Sequence, residues 1–524
     1  MGRNILRALS SLSLLTLLSR LLGLIREMTK AALLGTGALS DAFSVAFMLP
    51  NLFRRLFAEG SIAVAFIPTF KEYLIKNVDC ETRDFLCSFW SFMTFLVSLA
   101  VALGIAFAPV IMPFFALEEL DEAVLLTRVM FPYLLFISIA AFFQGILNSV
   151  YSFVPSALAP ILLNIAVIAC AWLLSGFVEN PARAMAAGVF AGGFLEAAIQ
   201  LPFVLKRGFR FKWTALSRAL RNEGTKKVLR LVLPTIVGMA AYQLNDIVST
   251  ALAGNAGAGV VSSLQYSLRL QELFLGVFAV SLGTVLLPRL AENSKRGEWA
   301  AYNSELENAV ALIALITIPV MFFSFSQGAE IIRLLFQSRA FDERSVALTN
   351  EAFMFHIAGL FFIALNRILA PAFYAQSDSF SPTLAGIISF AVNIVLAFAL
   401  TPVMAGGGIA LALSAAGAVN TLFLFVFLRK NQNIAVCVIT YSSLRYVIKI
   451  VICSIIAIAP VHILSSYTER FIAGFNIKNK LITLALPLVF HTLIFSALGI
   501  ILLVITKDRF IDRFRVKFGK TKLL

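Results

Sequence analysis

Arginine side chains inside long apolar segments are the residues whose type and spacing suggest chemistry in this sequence. Four stand in three such segments: Arg20 and Arg26 in 6–34, Arg54 in 41–70, and Arg269 in 260–288. A charge at the centre of a bilayer costs at least about 2.5–3.5 kcal/mol unless it faces water or a partner. Guanidinium groups are permanently charged and match phosphate oxygens with paired donors. The four arginines therefore predict a shared hydrated cavity that binds a phosphate-bearing anion.

Acidic residues in the same segments compensate only part of this positive charge. They are Glu27 in the first segment, Asp41 and Glu59 in the second, and Glu272 in the third. The spacing allows Arg55 to pair with Glu59, and it allows Arg269 to pair with Glu272. Arg20, Arg26 and Arg54 have less local compensation, so the predicted cavity carries surplus positive charge.

The elements that must position these side chains are membrane-spanning helices. Of the 524 residues, 60% are hydrophobic and only 14% are charged, and the mean hydropathy is +0.90. Apolar runs of roughly 20 residues cross a bilayer as helices, because helices satisfy their backbone groups internally. The formal net charge of +15 then reflects topology and contact with anionic lipid rather than binding to nucleic acid.

About 14 spans are predicted in this all-α membrane protein. They lie near residues 6–34, 41–70, 86–115, 124–151, 155–175, 184–205, 229–252, 260–288, 304–326, 346–376, 382–403, 408–428, 444–465 and 481–505. With 14 spans, the basic loop after span 6 and the basic tail fall on one side, and the acidic loop after span 3 falls on the other. Both termini are therefore predicted to be cytoplasmic.

A weak internal repeat divides the predicted helices into two halves. Segments 146–160 and 368–386 each combine an apolar span, a turn containing Tyr, Ser and Phe, and a proline that opens the next helix. Repeated halves around a midplane site are the plan of many transporters. The predicted parts are an N-terminal lobe (1–205), a basic cytoplasmic loop (206–228), a C-terminal lobe (229–428), two appended spans (429–505) and a basic cytoplasmic tail (506–524).

Three segments carry a resemblance that extends over most of the chain. They are 19–73, which begins SRLLGLIREMTKAALLG, 268–292 (LRLQELFLGVFAVSLGTVLLPRLAE) and 370–383 (APAFYAQSDSFSPT). They closely resemble the MurJ (MviN) lipid II flippases of the multidrug/oligosaccharidyl-lipid/polysaccharide exporter superfamily. The resemblance implies 14 helices, in two six-helix lobes around a central cationic cavity, with two final helices that form a groove for the polyprenyl tail.

The resemblance also implies a function and a location. The substrate would be lipid II, an undecaprenyl diphosphate-linked disaccharide peptide used in peptidoglycan synthesis. The protein would move it to the periplasmic leaflet of the bacterial inner membrane by alternating access. It would act as a monomer among membrane lipids, without covalent chemistry and without a nucleic acid partner.

Family members are held to bind the substrate diphosphate through arginines of helices 1, 2 and 8. By motif these are Arg20 and Arg26 in SRLLGLIRE, Arg54 in NLFRR, and Arg269 in LRLQE. The acidic positions are Asp41 in SDAF, Glu59 in FAEG, and Glu272 after the helix 8 arginine. Some family members have Asp just before the helix 8 arginine. This sequence has Leu268 at that position, so a role of that carboxylate is not predicted for this chain.

A sodium site on helices 7 and 11 occurs in some similar members. The resemblance places it at Asp246 in span 7, with Asn393 in span 11 as a companion. A structural cap or an inter-lobe hydrogen bond is the favoured interpretation of Asp246. The sequence has neither a GxxxxGK[ST] loop nor an HExxH motif, so no cofactor other than a sodium ion is predicted.

Two other function classes are weighed against this one. The first is another transporter of the superfamily, either an oligosaccharide-lipid flippase or a cation-coupled drug exporter. An exporter of organic cations should have an acidic cavity, whereas the cavity predicted here is cationic. The second is a membrane glycosyltransferase, which would need a metal-binding carboxylate cluster at the membrane surface. The only dense acidic group, within residues 118–122, falls on the predicted external side, so transport of a lipid-linked diphosphate sugar is favoured.

Overall fold

The computed structural model describes residues 2–56, 65–76, 78–474 and 480–512, and the regular secondary structure of these residues is helical. The chain divides into two compact units. Unit 1 extends to Ser262 and includes Ser338–Asp342, whereas unit 2 comprises Ser263–Gln337 and Glu343–Leu524. The predicted all-α class is confirmed, and the predicted lobe boundaries stay a prediction.

The helices of unit 1 pack closely where small residues allow it. They are α1 (Gly2–Leu34), α2 (Ala38–Arg54), α3 (Ile67–Lys76), α4 (Asp79–Ile111), α5 (Leu120–Met130), α6 (Tyr133–Ser149), α7 (Val154–Leu174), α8 (Pro181–Lys206), α9 (Leu216–Arg221) and α10 (Glu223–Asn255). Gly188 and Gly192 lie four residues apart on the face of α8 that meets α7. A Cβ atom on Gly188 would lie 2.7 Å from the Cα atom of Val167. This close helix contact therefore depends on glycine, as in many membrane helix pairs.

A local sequence signal fixes the start of α8. The side-chain oxygen of Asn180 accepts the backbone N–H of Arg183 at 3.1 Å, and Pro181 occupies the first turn. The guanidinium of Arg183 then forms a forked pair with Glu122, in which Nε lies 2.9 Å from Oε1 and Nη2 lies 2.8 Å from Oε2. This pair ties the start of α8 to the first turn of α5.

The helices of unit 2 include one that is too long for a single crossing. They are α11 (Val260–Arg296, which begins in unit 1), α12 (Trp299–Phe336), α13 (Glu343–Ala358), α14 (Leu360–Tyr374), α15 (Phe380–Leu428), α16 (Val436–Gly474) and α17 (Lys480–Ile505). At 1.5 Å per residue the 49 residues of α15 would extend about 73 Å, against about 30 Å of hydrocarbon. The helix is broken at Ala405 (φ 44°, ψ −125°), which lies between predicted spans 11 and 12.

The same turn follows α6 in unit 1 and α14 in unit 2. Tyr151 and Ser377 both adopt positive φ, at 58° and 63°. In each turn the next backbone N–H donates to a carbonyl five residues back, from Ser152 to Leu147 at 2.8 Å and from Asp378 to Phe373 at 3.1 Å. These turns lie in the two segments that the internal repeat matches, and their common geometry agrees with that repeat.

Eight helices in the described part of the chain are long and apolar enough to cross a membrane, or nine with the bent pair α13–α14. The chain is therefore a multi-pass membrane protein, while the number of 14 spans stays a prediction. Helices α1, α2, α10 and α11 are not in this apolar set. They are the helices that carry the predicted site residues Arg20, Arg54, Asp246 and Arg269.

Candidate functional site

Helix α1 carries two of the predicted arginines in different surroundings. The guanidinium of Arg26 is largely buried, and its Nη2 atom lies 2.8 Å from Oε1 of buried Glu27. Its guanidinium carbon also lies 5.8 Å from the centroid of the Phe47 ring in α2. Arg26 is thus a neutralised cation held between α1 and α2, with its partner on the adjacent residue.

Arg20 lies six residues earlier on α1 and is exposed. No hydrogen bond or ion pair joins its side chain to another residue that the structure describes. The neighbouring backbone is fixed, because Nδ2 of Asn164 in α7 donates to the carbonyl of Ser19 at 3.3 Å. The backbone beside Arg20 is therefore held by α7, while the Arg20 guanidinium is exposed and accessible to an anion.

The C-terminal end of α2 presents two adjacent arginines with different partners. Nε of Arg54 donates to Oδ1 of Asn51 at 2.7 Å, so this hydrogen bond goes to a neutral amide. Nη1 of Arg55 lies 3.2 Å from Oδ2 of Asp246 in α10, and the two side chains are 35% and 40% exposed. The spacing allows Arg55 to pair with Glu59, but Glu59 lies outside the described residues, and the ion pair described for Arg55 is with Asp246.

Asp41 lies in the first turn of α2 and is buried. Its Oδ2 atom accepts the backbone N–H of Gly259 at 2.7 Å, and its Oδ1 atom accepts that of Ser262 at 2.8 Å. These donors lie at the start of α11, where backbone N–H groups lack partners within the helix. Asp41 therefore acts as a helix cap supplied by another helix, and its predicted role towards substrate stays a prediction.

In unit 2, Arg269 and Glu272 form the predicted ion pair, with Nη1 and Oε2 2.8 Å apart. They stand three residues apart on α11, so the pair depends only on helical geometry. Both side chains are about half exposed. The pair lies near the start of unit 2, and the roles predicted for Arg269 and Glu272 towards substrate stay predictions.

The predicted sodium ligands lie in different units. Asp246 belongs to α10 of unit 1, where it meets Arg55, and buried Asn393 belongs to α15 of unit 2. Among the residues that the structure describes, there is no group of three or more His, Cys, Asp or Glu side chains that could hold a metal ion. Because sodium also accepts carbonyl and amide oxygens, this does not decide the prediction.

A family model described as Lipid II flippase MurJ matches residues 30–482, which is most of the chain. The chain belongs to this family.

Relatives within the MurJ family cover most of the chain. A probable lipid II flippase MurJ from Treponema pallidum (strain Nichols) is 45% identical over 505 residues, which are 95% of each protein. A lipid II flippase MurJ from Burkholderia cenocepacia is 34% identical over 438 residues, which are 82% of this chain and 84% of that protein.

Solved structures agree in fold. A lipid II flippase MurJ in an inward closed conformation matches with a TM-score of 0.77 at 24% identity, over 95% of this chain and 99% of that one. An inward-facing multidrug resistance transporter of the MATE family matches with a TM-score of 0.62 at 15% identity, over 81% and 96% of the two chains. These two matches support the all-α fold.

Buried histidines have structural partners within unit 2. Nδ1 of His356 lies 2.6 Å from Oγ of Ser267, and the backbone carbonyl of His356 accepts from Gln271. Nδ1 of His491 lies 2.9 Å from Oε1 of Gln327. These contacts tie α13 to α11 and α17 to α12, so both histidines have a structural role in unit 2.

Sequence reasoning missed the ion pair between Arg55 and Asp246. The two residues are 191 positions apart, so no helical spacing could indicate the contact. The only signal was the presence of an uncompensated acid in span 7 and of a second arginine beside Arg54. In a MurJ-family member this pair changes the interpretation of Asp246, because a guanidinium already faces its carboxylate.

Proposed function

We propose that this chain moves lipid II from the cytoplasmic to the periplasmic leaflet of the bacterial inner membrane. Membership in the MurJ family supports this, because relatives at 45% and 34% identity carry the name of lipid II flippase. The observation that carries the proposal is the exposed guanidinium of Arg20 on α1, which has no ion pair with any described residue. A permanently charged group in that setting is suited to an anionic substrate.

The diphosphate of lipid II supplies the matching charge. In this proposal Arg20, Arg26, Arg54 and Arg269 donate charge-assisted hydrogen bonds to phosphate oxygens, each worth about 1.5–3 kcal/mol. Arg26 must share its guanidinium with Glu27, from which it lies 2.8 Å away. The undecaprenyl tail stays in lipid, because each buried CH₂ group contributes about 0.8 kcal/mol to its retention there.

Translocation then requires only binding and a conformational change. Alternating access exposes the head group first to the cytoplasm and then to the periplasm, and no bond is made or broken. Bound charges that cross the membrane couple the cycle to the membrane potential, at about 2.3 kcal/mol per charge per 100 mV. The protein acts as a monomer with both termini in the cytoplasm.

Depletion of the protein from cells tests this function. Lipid II should accumulate in the inner leaflet, so a lipid-II-cleaving enzyme added outside spheroplasts should release several-fold less product than before depletion. Re-expression of the wild-type chain should restore release, and depletion of an unrelated multi-pass protein should leave it unchanged. Undiminished cleavage after full depletion would refute the proposed function.

Sodium binding at Asp246 is a separate proposal that rests on its carboxylate and half-exposed position. Because Arg55 is a competing cation, Arg55→Gln should strengthen sodium binding. At sodium concentrations ten times the Kd, binding adds about 1.4 kcal/mol of stability. The rise in Tm when choline chloride is replaced by sodium chloride should therefore be larger in Arg55→Gln than in wild type.

The double variant Arg55→Gln/Asp246→Asn provides the control for this measurement. It removes the carboxylate while keeping a side chain of nearly the same shape. Its Tm should be equal in sodium and choline salts. An equal sodium-dependent rise with and without the Asp246 carboxylate would rule out this residue as the ligand.

A further inference from the structure

Residues 206–222, which join α8 to α10, form a docked segment that we call the strap. The strap contains Lys206, Arg207, Arg210, Lys212, Arg218 and Arg221 and has no acidic residue. From 209 to 215 it has no helical structure. Its sequence there alternates aromatic and basic residues, in the order Phe, Arg, Phe, Lys, Trp. Along an extended backbone, alternate side chains face opposite sides.

Aromatic contacts hold one face of the strap against unit 1. The Phe211 ring stacks on Trp90 of α4, with centroids 5.1 Å apart, and on Phe143 of α6 at 5.6 Å. The Phe209 ring meets Phe70 of α3 edge-on at 5.6 Å. Aromatic pairs at these separations contribute about 0.5–1.5 kcal/mol each beyond area burial. Phe209 and Phe211 of the strap therefore pack against aromatic rings of α3, α4 and α6, which we call the seat of the strap.

Hydrogen bonds fix the strap backbone on the same helices. The N–H of Lys212 donates to Sγ of Cys87 at 3.3 Å, and the N–H of Thr214 donates to Oγ of Ser91 at 2.9 Å. Both acceptors lie one turn apart on α4. These bonds set the register of the strap, so its outward side chains have defined positions.

The other face of the strap is cationic. Five side chains are exposed and have no ion pair with any residue in the described ranges: Lys206, Arg207, Arg210, Lys212 and Arg221. Arg218 differs, since its Nη2 atom lies 2.7 Å from Oδ1 of Asp84. Because these five cations have no ion pair within the described part of the chain, the strap favours binding of an external anion.

Exposed apolar side chains adjoin the cationic face of the strap. Phe203 and Leu205, at the end of the spanning helix α8, are 40% and 46% exposed, and Lys206 follows at once. Within the strap, Trp213 lies on the same side as Phe211, with its ring centroid 6.2 Å from that of Trp90, but the residue is still 67% exposed between Lys212 and the half-buried Thr214. Tryptophan beside lysine and arginine is the composition of a membrane–water interface. This composition favours a position of the strap at the level of the lipid head groups.

We propose that the strap is a docking surface for acidic phospholipids of the leaflet that adjoins it. The cations contribute about 1 kcal/mol each near an anionic surface, and Trp213 inserts its ring at the depth of the head groups. An acidic protein segment fits this surface less well, since it would leave Trp213, Phe203 and Leu205 exposed to water. The proposal does not depend on which substrate the protein transports.

A variant with Trp213 as its only tryptophan tests the proposal directly. Trp90, Trp172 and Trp299 are replaced by Phe, which keeps a ring against Phe211 in the seat. The protein is placed in phosphatidylcholine nanodiscs that contain a fixed minor fraction of a 6,7-dibromo lipid, either phosphatidylglycerol or phosphatidylcholine. Trp213 fluorescence should be quenched at least about twofold more by the acidic lipid, and 0.5 M NaCl should reduce the difference.

Charge variants separate the strap from the general basicity of the protein. In the same background, Lys206→Gln, Arg207→Gln, Arg210→Gln and Lys212→Gln together should equalise quenching by the two lipids. A matched control removes four exposed cations elsewhere, with Lys295→Gln, Arg296→Gln, Arg429→Gln and Lys430→Gln, and should retain the preference. Native mass spectrometry of the chain with all four tryptophans should likewise show fewer bound phosphatidylglycerol molecules only in the strap variant.

Two results would overturn the proposal. Equal quenching of Trp213 by both lipids in the unmodified strap would show that the strap has no preference for acidic lipid. Absence of quenching by either lipid would place Trp213 away from the bilayer, and an acidic protein partner would then be the better occupant.

Discussion

Replacing Arg20 and Arg54 together by glutamine should abolish growth of a strain that depends on this protein as its only flippase. Each lost charge-assisted contact with the diphosphate removes about 1.5–3 kcal/mol, so the pair weakens binding roughly 100-fold or more. Glutamine keeps hydrogen-bond donors but removes the permanent charges. Colony formation after depletion of the wild-type copy measures the effect.

The control variant for this experiment is Arg296→Gln/Arg429→Gln, which loses the same charge at two exposed positions outside the predicted site. It should support growth like wild type. The conservative variant Arg20→Lys/Arg54→Lys should recover part of the activity, because charge returns without the forked geometry. Normal growth of the glutamine variant at wild-type membrane levels would contradict the role given to these two arginines.

Gly35→Ala should destabilise unit 1 strongly. Gly35 ends α1 with φ at 59°, and a Cβ atom there would lie 2.8 Å from the carbonyl carbon of Ala340 and closer still to its oxygen. The backbone must therefore move as well as adopt a conformation that alanine disfavours. The expected cost is about 3 kcal/mol, measured as a fall in Tm of the purified protein.

Gly37→Ala provides a control two residues away in the same turn. Gly37 has an extended backbone with φ at −178°, and a Cβ atom there would meet nothing within 4 Å. The same added methyl group should therefore change stability by less than about 0.5 kcal/mol. Equal Tm values for the two variants would show that Ser338–Asp342 does not pack against this turn.

Contacts that depend on helical spacing were the most predictable part of the site. Arg269 and Glu272 were expected to pair because they stand three residues apart on a helix, and they do. The pairing of Arg55 with Asp246 and the capping of α11 by Asp41 join residues about 200 positions apart. Composition and periodicity carry no information about such contacts, so they had to come from the three-dimensional structure.

The fold class was predictable for a simpler reason. Apolar runs that must satisfy their backbone in lipid can form only helices here, and the break at Ala405 falls between two predicted spans. The docking of the strap was harder to foresee, although its alternation of Phe209, Arg210, Phe211 and Lys212 was present in the sequence. That pattern indicates a two-sided extended segment, but only the structure identifies Trp90 and Phe143 as its seat.

We expect arginines of α1, α2 and α11 to bind the diphosphate of lipid II. Native mass spectrometry of the purified protein with lipid II tests it most directly, on wild type and on the variants Arg20→Ala, Arg26→Ala, Arg54→Ala and Arg269→Ala. Wild type should hold one lipid II, and each variant should bind it at least about tenfold more weakly while keeping its bound phospholipids. Lipid II affinities equal to wild type in all four variants would contradict the account.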